Sequence, residues 1–387
     1  MIRRSVRSLR YVPFPAAIHK IRFGRVVPLV DHHVWKAKHF KWKTSMGKNR
    51  LSDYSRSLRY RSVLLIFFAM TLVIAFCVSL SVGAAMVPLG ETVRILCGLE
   101  SNPRWVQIVL NIRLPQALAA VLAGAGLSIA GATMQNVLRN PLCSPLTLGI
   151  SNAAAFGAAL ALMLGAEQGG LLSRSIITLG AFGGAMLATG VILGLSRFHG
   201  SRSETIILVG VALSSLFAAG QMFMQYLADE VRLVAIVYWT FGDTGRATWN
   251  SLVLIGCCVA VVSGYFLFQS WNYNASAFGE ETAQGLGVPV RRLRTTTMLL
   301  ASFLTAVIVS QIGIIGFVGL VVPHLARLMI GADNRFLLPF MLLLGGLLLL
   351  VADTAARLVL HGRELPVSIL TAFIGVPVFL LLLLSKK

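Results

Sequence analysis

The chain has 387 residues, is 56% hydrophobic and only 12% charged, and carries a formal charge of +20. Soluble domains hold about 25% charged residues, so this composition excludes an ordinary globular enzyme. Thirty-six glycines, spread without a period through apolar stretches, fit membrane helices and not collagen or a linker.

The charge is unevenly placed. Residues 1–61 hold 16 Lys/Arg and 2 Asp/Glu, whereas residues 62–387 hold 18 and 12. The basicity belongs to a tail and is no nucleic-acid signal. That tail contains Pro13, Pro15 and Pro28, four histidines (His19, His32, His33, His39) and little helical periodicity. It reads as an arm bound to anionic lipid, as a disordered positive-inside anchor, or as translation from a start upstream of Met46. His32–His33 has no acidic or Cys partner at ligand spacing, so a metal site is not expected there.

Each membrane crossing needs about 20 mostly apolar residues. Candidate spans lie at 62–87, 114–138, 146–165, 174–195, 205–228, 250–269, 296–312, 314–330, 336–360 and 366–384. Gly313 and Gly316 divide the seventh from the eighth, which a tight turn would join. The chain after the tail is therefore one all-α membrane domain, 62–387, of about ten transmembrane helices. Lys/Arg counts favour the ends of spans on the side of the N-terminus only once the tail is included, which puts both termini in the cytoplasm. Cys77, Cys97, Cys143, Cys257 and Cys258 form no C-x-x-C and lie in spans or on opposite faces, so neither a metal cluster nor a disulfide framework is expected.

Charges inside spans are few. Asp353 and Arg357 stand four apart, one helical turn, and can neutralise each other. No span holds the ladder of Asp, Glu or His that a proton relay needs. Nor does the chain contain His-Glu-x-x-His, Gly-x-Ser-x-Gly or a phosphate-cradling G-x-x-x-x-G-K-[ST]. Beyond the tail only His199, His324 and His361 remain, in separate segments. Moving a substrate fits this inventory better than transforming one, and the chain is expected to be no enzyme. Small residues recur at helical spacing: Gly124, Gly126, Ala130 and Gly131; Ala153, Gly157 and Ala161; Gly180 and Gly184. They predict close helix contact, with a cavity lined by small side chains as the alternative.

The inside loop 270–295 is not a plain re-entry loop. Glu280 and Glu281 suit a helix N-terminus, Gly285 and Gly287 end that helix, and Pro289 suits the first turn of a second short one. A compact helical elbow on this face is expected to serve as a docking surface for a soluble partner.

Its Gly279-Glu280-x-x-Ala283-x-x-Leu286-Gly287-Val288-Pro289 resembles the coupling element of the iron-siderophore and cobalamin ABC importer permeases. Further motifs follow in the family's order: Ile112-Arg113-Leu114-Pro115, Ala130-Gly131-Ala132-Thr133-Met134-Gln135, Arg139-Asn140-Pro141-Leu142, Gly316-Phe317-Val318-Gly319 with Pro323-His324, and Ala352-Asp353 with Ala356-Arg357. The resemblance covers about residues 60–385. It implies a type II ABC importer permease in a bacterial or archaeal cytoplasmic membrane, working as a homodimer. Its partners would be a cytosolic ABC ATPase and an extracytoplasmic binding protein. This chain would carry no cofactor, ATP and Mg belonging to the ATPase. The cargo implied is a ferric-siderophore-like chelate, with cobalamin or haem as variants.

Carried over by position, Arg113 and Arg357 would meet the binding protein's acidic knobs, and Gln116 stands where a second basic residue is usual. Coupling to the ATPase would fall to Glu280, Glu281, Gly285, Leu286, Gly287, Pro289, Arg291 and Arg292. The translocation gate would involve Asn140, Leu142 and Ser203. Asp243 and Arg246 depart from the family pattern at the external mouth, as specificity determinants or as a surface ion pair worth little. An ion-coupled carrier working without an ATPase is the alternative reading, and vanadate inhibition of uptake separates the two.

Overall fold

The computed structural model describes residues 32–83, 85–99, 101–165, 171–198, 202–359 and 365–384. The chain forms two compact units, residues 1–58 and 59–387. Among the described residues there is no strand. The helices are α1 (His32–Ser81), α2 (Leu89–Leu96), α3 (Pro103–Val106), α4 (Leu114–Leu138), α5 (Ile150–Met163), α6 (Leu171–Phe198), α7 (Ser203–Leu227) and α8 (Glu230–Thr240). They continue as α9 (Trp249–Phe268), α10 (Ser270–Ala277), α11 (Glu280–Gly285), α12 (Val290–Ile312), α13 (Val318–Ile330), α14 (Asn334–Val359) and α15 (Val367–Leu384). A π-helical stretch, Gln107–Arg113, runs into α4, and a 3-10 turn, Thr244–Arg246, precedes α9.

The expected disorder of the tail is corrected over 32–61, which is helical. All three tail prolines precede residue 32, and the stretch after it is rich in Lys and Arg, which are good helix formers. Residues 1–31 lie outside the described residues.

Seven helices are long and apolar enough to cross a membrane, and three shorter apolar ones lie at Ile150–Met163, Val318–Ile330 and Val367–Leu381. Each expected span falls on one of these helices. This is an all-α, multi-pass membrane protein. At about 1.5 Å per residue, the 14 residues of α5 reach only about 21 Å, short of a hydrocarbon core.

Packing explains the small residues. Helix α4 is the centre of the bundle, in contact with α9, α12, α13 and α14. A Cβ on Gly124 would strike the Gly345 carbonyl of α14, and one on Gly131 the Gly319 carbonyl of α13. Gly157 and Gly180 bring α5 and α6 together in the same way, with Gly184 on the backbone of Ala153. Close approach, and not a cavity, is what these residues provide.

The break between α12 and α13 is built as the glycines foretold. Gly313 takes φ 80° and Phe317 φ 64°, a left-handed geometry costly for an aromatic residue. Gly319 sits against Leu127 and Gly131, midway along α4, while Arg327 near the end of α13 meets Gln135. Helix α13 therefore starts halfway down the bundle.

Two ends result. One, called here the α2 end, gathers the end of α1, α2, the start of α4, the 3-10 turn and the end of α14. The other, the α11 end, gathers the end of α4, α10, α11, and the starts of α12 and α14.

Candidate functional site

At the α2 end, two arginines close helix α1. The last carbonyls of any helix lack intrahelical donors and attract cations. Arg113 Nη1 donates to the carbonyls of Leu80 and Ser81, both at 2.9 Å, and its Nη2 to that of Ala85. Arg357 donates to the carbonyls of Ser79 (3.2 Å) and Val82 (3.3 Å) and to Ser79 Oγ (2.6 Å). Arg357 also pairs with Asp353 at 3.1 Å, the ion pair foreseen from their spacing. Gln116 Nε2 and the Thr244 hydroxyl both donate to Asp353 Oδ1, the former at 3.2 Å. One buried carboxylate thus ties together α4, the 3-10 turn and α14, and through Arg357 it reaches α1.

Arg113 and Gln116 are each 4% exposed and Arg357 7%. None of the three side chains expected to meet a docked protein is presented at the surface in this structure. Both guanidiniums are engaged instead by carbonyls at and just after the end of α1.

The α11 end carries the elbow. Helix α11 follows Gly279, whose φ of 122° suits glycine, and stops before Gly287 at φ 83°. Ala283, Val288 and Val290 are buried, while Glu281, Gly285, Leu286, Gly287, Pro289, Arg291 and Arg292 are exposed. Glu280, half-buried, accepts from Arg294, which is itself buried and donates through Nε to the Val137 carbonyl at 3.2 Å. Arg294 thereby fastens the elbow to the last turn of α4. Two details differ from expectation. The second helix is not short but the span α12, and Pro289 is its N-cap residue instead of lying in its first turn. An elbow backed directly by a spanning helix needs no separate second helix.

Of the gate residues, Asn140 and Leu142 form a turn after α4, with Asn140 Oδ1 accepting from Leu142 N–H at 2.9 Å. Arg139, at φ 50°, ends α4, and Leu142 is half-exposed. Ser203 is the first residue of α7. Helix α7 runs parallel to α5, since Gly210 meets Leu148 and Gly220 meets Phe156. All three gate residues therefore belong to the α11 end, with no hydrogen bond between Ser203 and the other two among the described residues.

Comparison with known proteins decides what this arrangement is. The profile of the FecCD transport family matches residues 71–385. The chain belongs to the FecCD transport family. An ABC transporter permease protein of Methanocaldococcus jannaschii is 46% identical over 328 residues, covering 83% of this chain and 93% of that one. The hemin transport system permease HmuU of Yersinia pestis is 37% identical over 311 residues, covering 80% and 93%. Among solved structures, an inward-facing metal-chelate type ABC transporter superposes with a TM-score of 0.74 at 32% identity, over 84% of this chain and 99% of that one. The protein is an ABC importer permease of the FecCD family.

Sequence reasoning missed a second polar cluster in this FecCD permease. Asp333, in the turn between α13 and α14, pairs with Arg335 at 2.6 Å and Arg61 at 3.4 Å and accepts from Asn274 Nδ2 at 2.8 Å. Hydrogen bonding from Arg335 is the main reason its carboxyl is lowered to about 2, with Asn274 adding to the shift and burial opposing it. Next to it, Asn334 bonds Asn136 (2.7 Å) and Asn274 (2.9 Å), and Arg327 bonds Gln135 (2.7 Å). The clue in the sequence was amides at the ends of apolar runs, individually unremarkable. Asp243 and Arg246 pair locally at 3.6 Å, and Arg246 donates to the Tyr238 (2.6 Å) and Trp239 (3.3 Å) carbonyls that end α8. They build the mouth's turn.

Proposed function

We propose that this FecCD permease works as a homodimer that imports an iron chelate, with haem and cobalamin as variants, driven by a separate ABC ATPase docked at the α11 end. The observation that carries the reading is the elbow. Leu286, Pro289, Arg291 and Arg292 stand exposed on a rigid corner whose other side is buried and pinned by Arg294 to α4. A push on that corner is delivered to the central helix of the bundle and to α12. Turn 139–142 and the start of α7 belong to the same end, where the gate would open. No metal or nucleotide is needed in this chain; ATP and Mg would act on the partner. The α11 end would face the cytoplasm.

The α2 end would receive an extracytoplasmic binding protein. Arg113, Gln116 and Arg357 then act from beneath, holding the end of α1 and the 3-10 turn in place, instead of touching the partner's carboxylates. The hemin permease relative and the metal-chelate transporter structure support a chelate as cargo.

Purification from the native membrane in mild detergent, with stoichiometry, tests the assignment. An ABC ATPase at one copy per permease, and vanadate-sensitive uptake of ferric chelate or hemin, are the expected results. Uptake indifferent to vanadate by an ATPase-free chain would transfer the reading to an ion-coupled carrier.

A further inference from the structure

Between the start of α6, α8 and the end of α12, at the α2 end, lies a cavity of about 460 Å³. That is the size of a small-molecule site. Arg174, Arg246, Tyr238, Trp239, Thr248 and Gln311 are among its walls. Arg246 is committed to the carbonyls ending α8 and to Asp243. Arg174 is different: it is exposed, and its guanidinium makes no hydrogen bond or ion pair to any described residue.

Its placement is electrostatically unfavourable twice over. Arg174 stands in the first turn of α6, which has no acidic residue, at the positive end of the helix dipole. It also repels Arg246, whose guanidinium is lowered from its ordinary value mainly by burial and further by the Arg174 charge, against the pull of Asp243. Asp243 offsets one of the two cations. The other has no ion-pair partner among the described residues, and it shares the cavity wall with Tyr238, Trp239, Thr248 and Gln311. A group that is anionic, hydrogen-bond accepting and attached to an apolar body would relieve the repulsion and fill the space.

We propose that this cavity binds an anion bearing a phosphate or carboxylate group, held by Arg174 and oriented by the polar wall. The group has two sources. An acidic phospholipid could place its head here and its chains along Ile176, Leu179, Val231 and Val234, all exposed apolar residues of α6 and α8. A free anionic solute could enter from the aqueous side instead.

The full-length chain, purified in detergent, is titrated with phosphatidylglycerol and phosphatidylcholine by native mass spectrometry, and with sodium phosphate and citrate by calorimetry. Each titration is repeated on Arg174→Gln and Arg174→Lys. Because Arg174 makes no hydrogen bond or ion pair to another described residue, both variants should melt like the parent, whereas changing Arg246 would uncap α8. Removing one charged hydrogen-bonding partner should weaken binding at least roughly tenfold in R174Q and much less in R174K. Loss confined to phosphatidylglycerol identifies a lipid head, and loss extending to phosphate or citrate identifies a free anion. The basic N-terminal segment contributes the same lipid background to all three proteins. Equal binding by the parent and R174Q, or no preference for phosphatidylglycerol over phosphatidylcholine together with no phosphate or citrate binding, overturns the proposal.

Discussion

Asp353 shows how one residue can hold several elements of a membrane bundle. Its carboxylate serves Gln116, Thr244 and Arg357, and the same Arg357 closes helix α1. Removing one partner of a buried ion pair leaves the other charge uncompensated, which costs about 3–5 kcal/mol. Asp353→Ala should therefore lower the melting temperature of the detergent-purified protein sharply, and Asp353→Asn, which retains hydrogen-bonding capacity, should do so less. Equal melting of D353A and the parent would remove the cluster's structural role. Asp333 gives a pH signature at the opposite end. Its folded carboxyl is lowered to about 2, beneath its unfolded value, so its contribution is complete above about pH 4 and is lost as pH falls toward 2. Asp333→Asn should flatten the melting temperature over that window. A pH dependence identical to the parent's would mean another carboxylate carries it.

At the scale of elements, helix contacts rest on missing side chains. Gly131 of α4 touches the backbone of α13 at Gly319, where any side chain must push the two helices apart. Overpacking costs about 1–3 kcal/mol in a core that can yield, and here the obstacle is backbone. Gly131→Leu should fail to give a stable purified protein, while Gly183→Leu on α6, with open space around its Cβ, should be tolerated. The elbow invites the opposite kind of variant. Leu286, Arg291 and Arg292 are exposed, so Leu286→Asp combined with Arg291→Glu and Arg292→Glu should leave melting unchanged. The same variant should lose the copurifying ATPase. Retention of the ATPase at full stoichiometry would move the docking surface elsewhere.

For the whole molecule, the distribution of polar groups defines two ends joined by an apolar bundle. Charged and amide side chains collect around Asp353 at one end and around Asp333, Arg294 and Arg327 at the other. The middle is held by small residues and aliphatic side chains. On the proposed reading, such a bundle would rock about its close contacts while force from the partner enters at the α11 end. Reconstituted with its ATPase, the permease should therefore take up chelate only with ATP, and vanadate should stop it. The Leu286, Arg291 and Arg292 variant should abolish uptake in step with its loss of the ATPase.

Much of this was legible in the residues. Apolar run length marked each spanning helix, because hydrocarbon demands it. Gly313 marked the α12–α13 break, and Gly287 the end of the elbow helix, because both take positive φ that other residues rarely adopt, whereas nothing in the sequence announced the left-handed Phe317. The four-residue spacing of Asp353 and Arg357 foretold their pairing, since it is a property of one helix. Contacts between elements far apart in the chain were decided only by the fold. Nothing local tells that Arg113 and Arg357 turn inward to the same helix end, that Gln116 reaches Asp353, or that Arg294 bridges Glu280 to Val137. A long cationic side chain at a span's edge can equally reach water, lipid or a neighbouring carbonyl, and the choice is made by which donors and acceptors the packed bundle leaves within its reach.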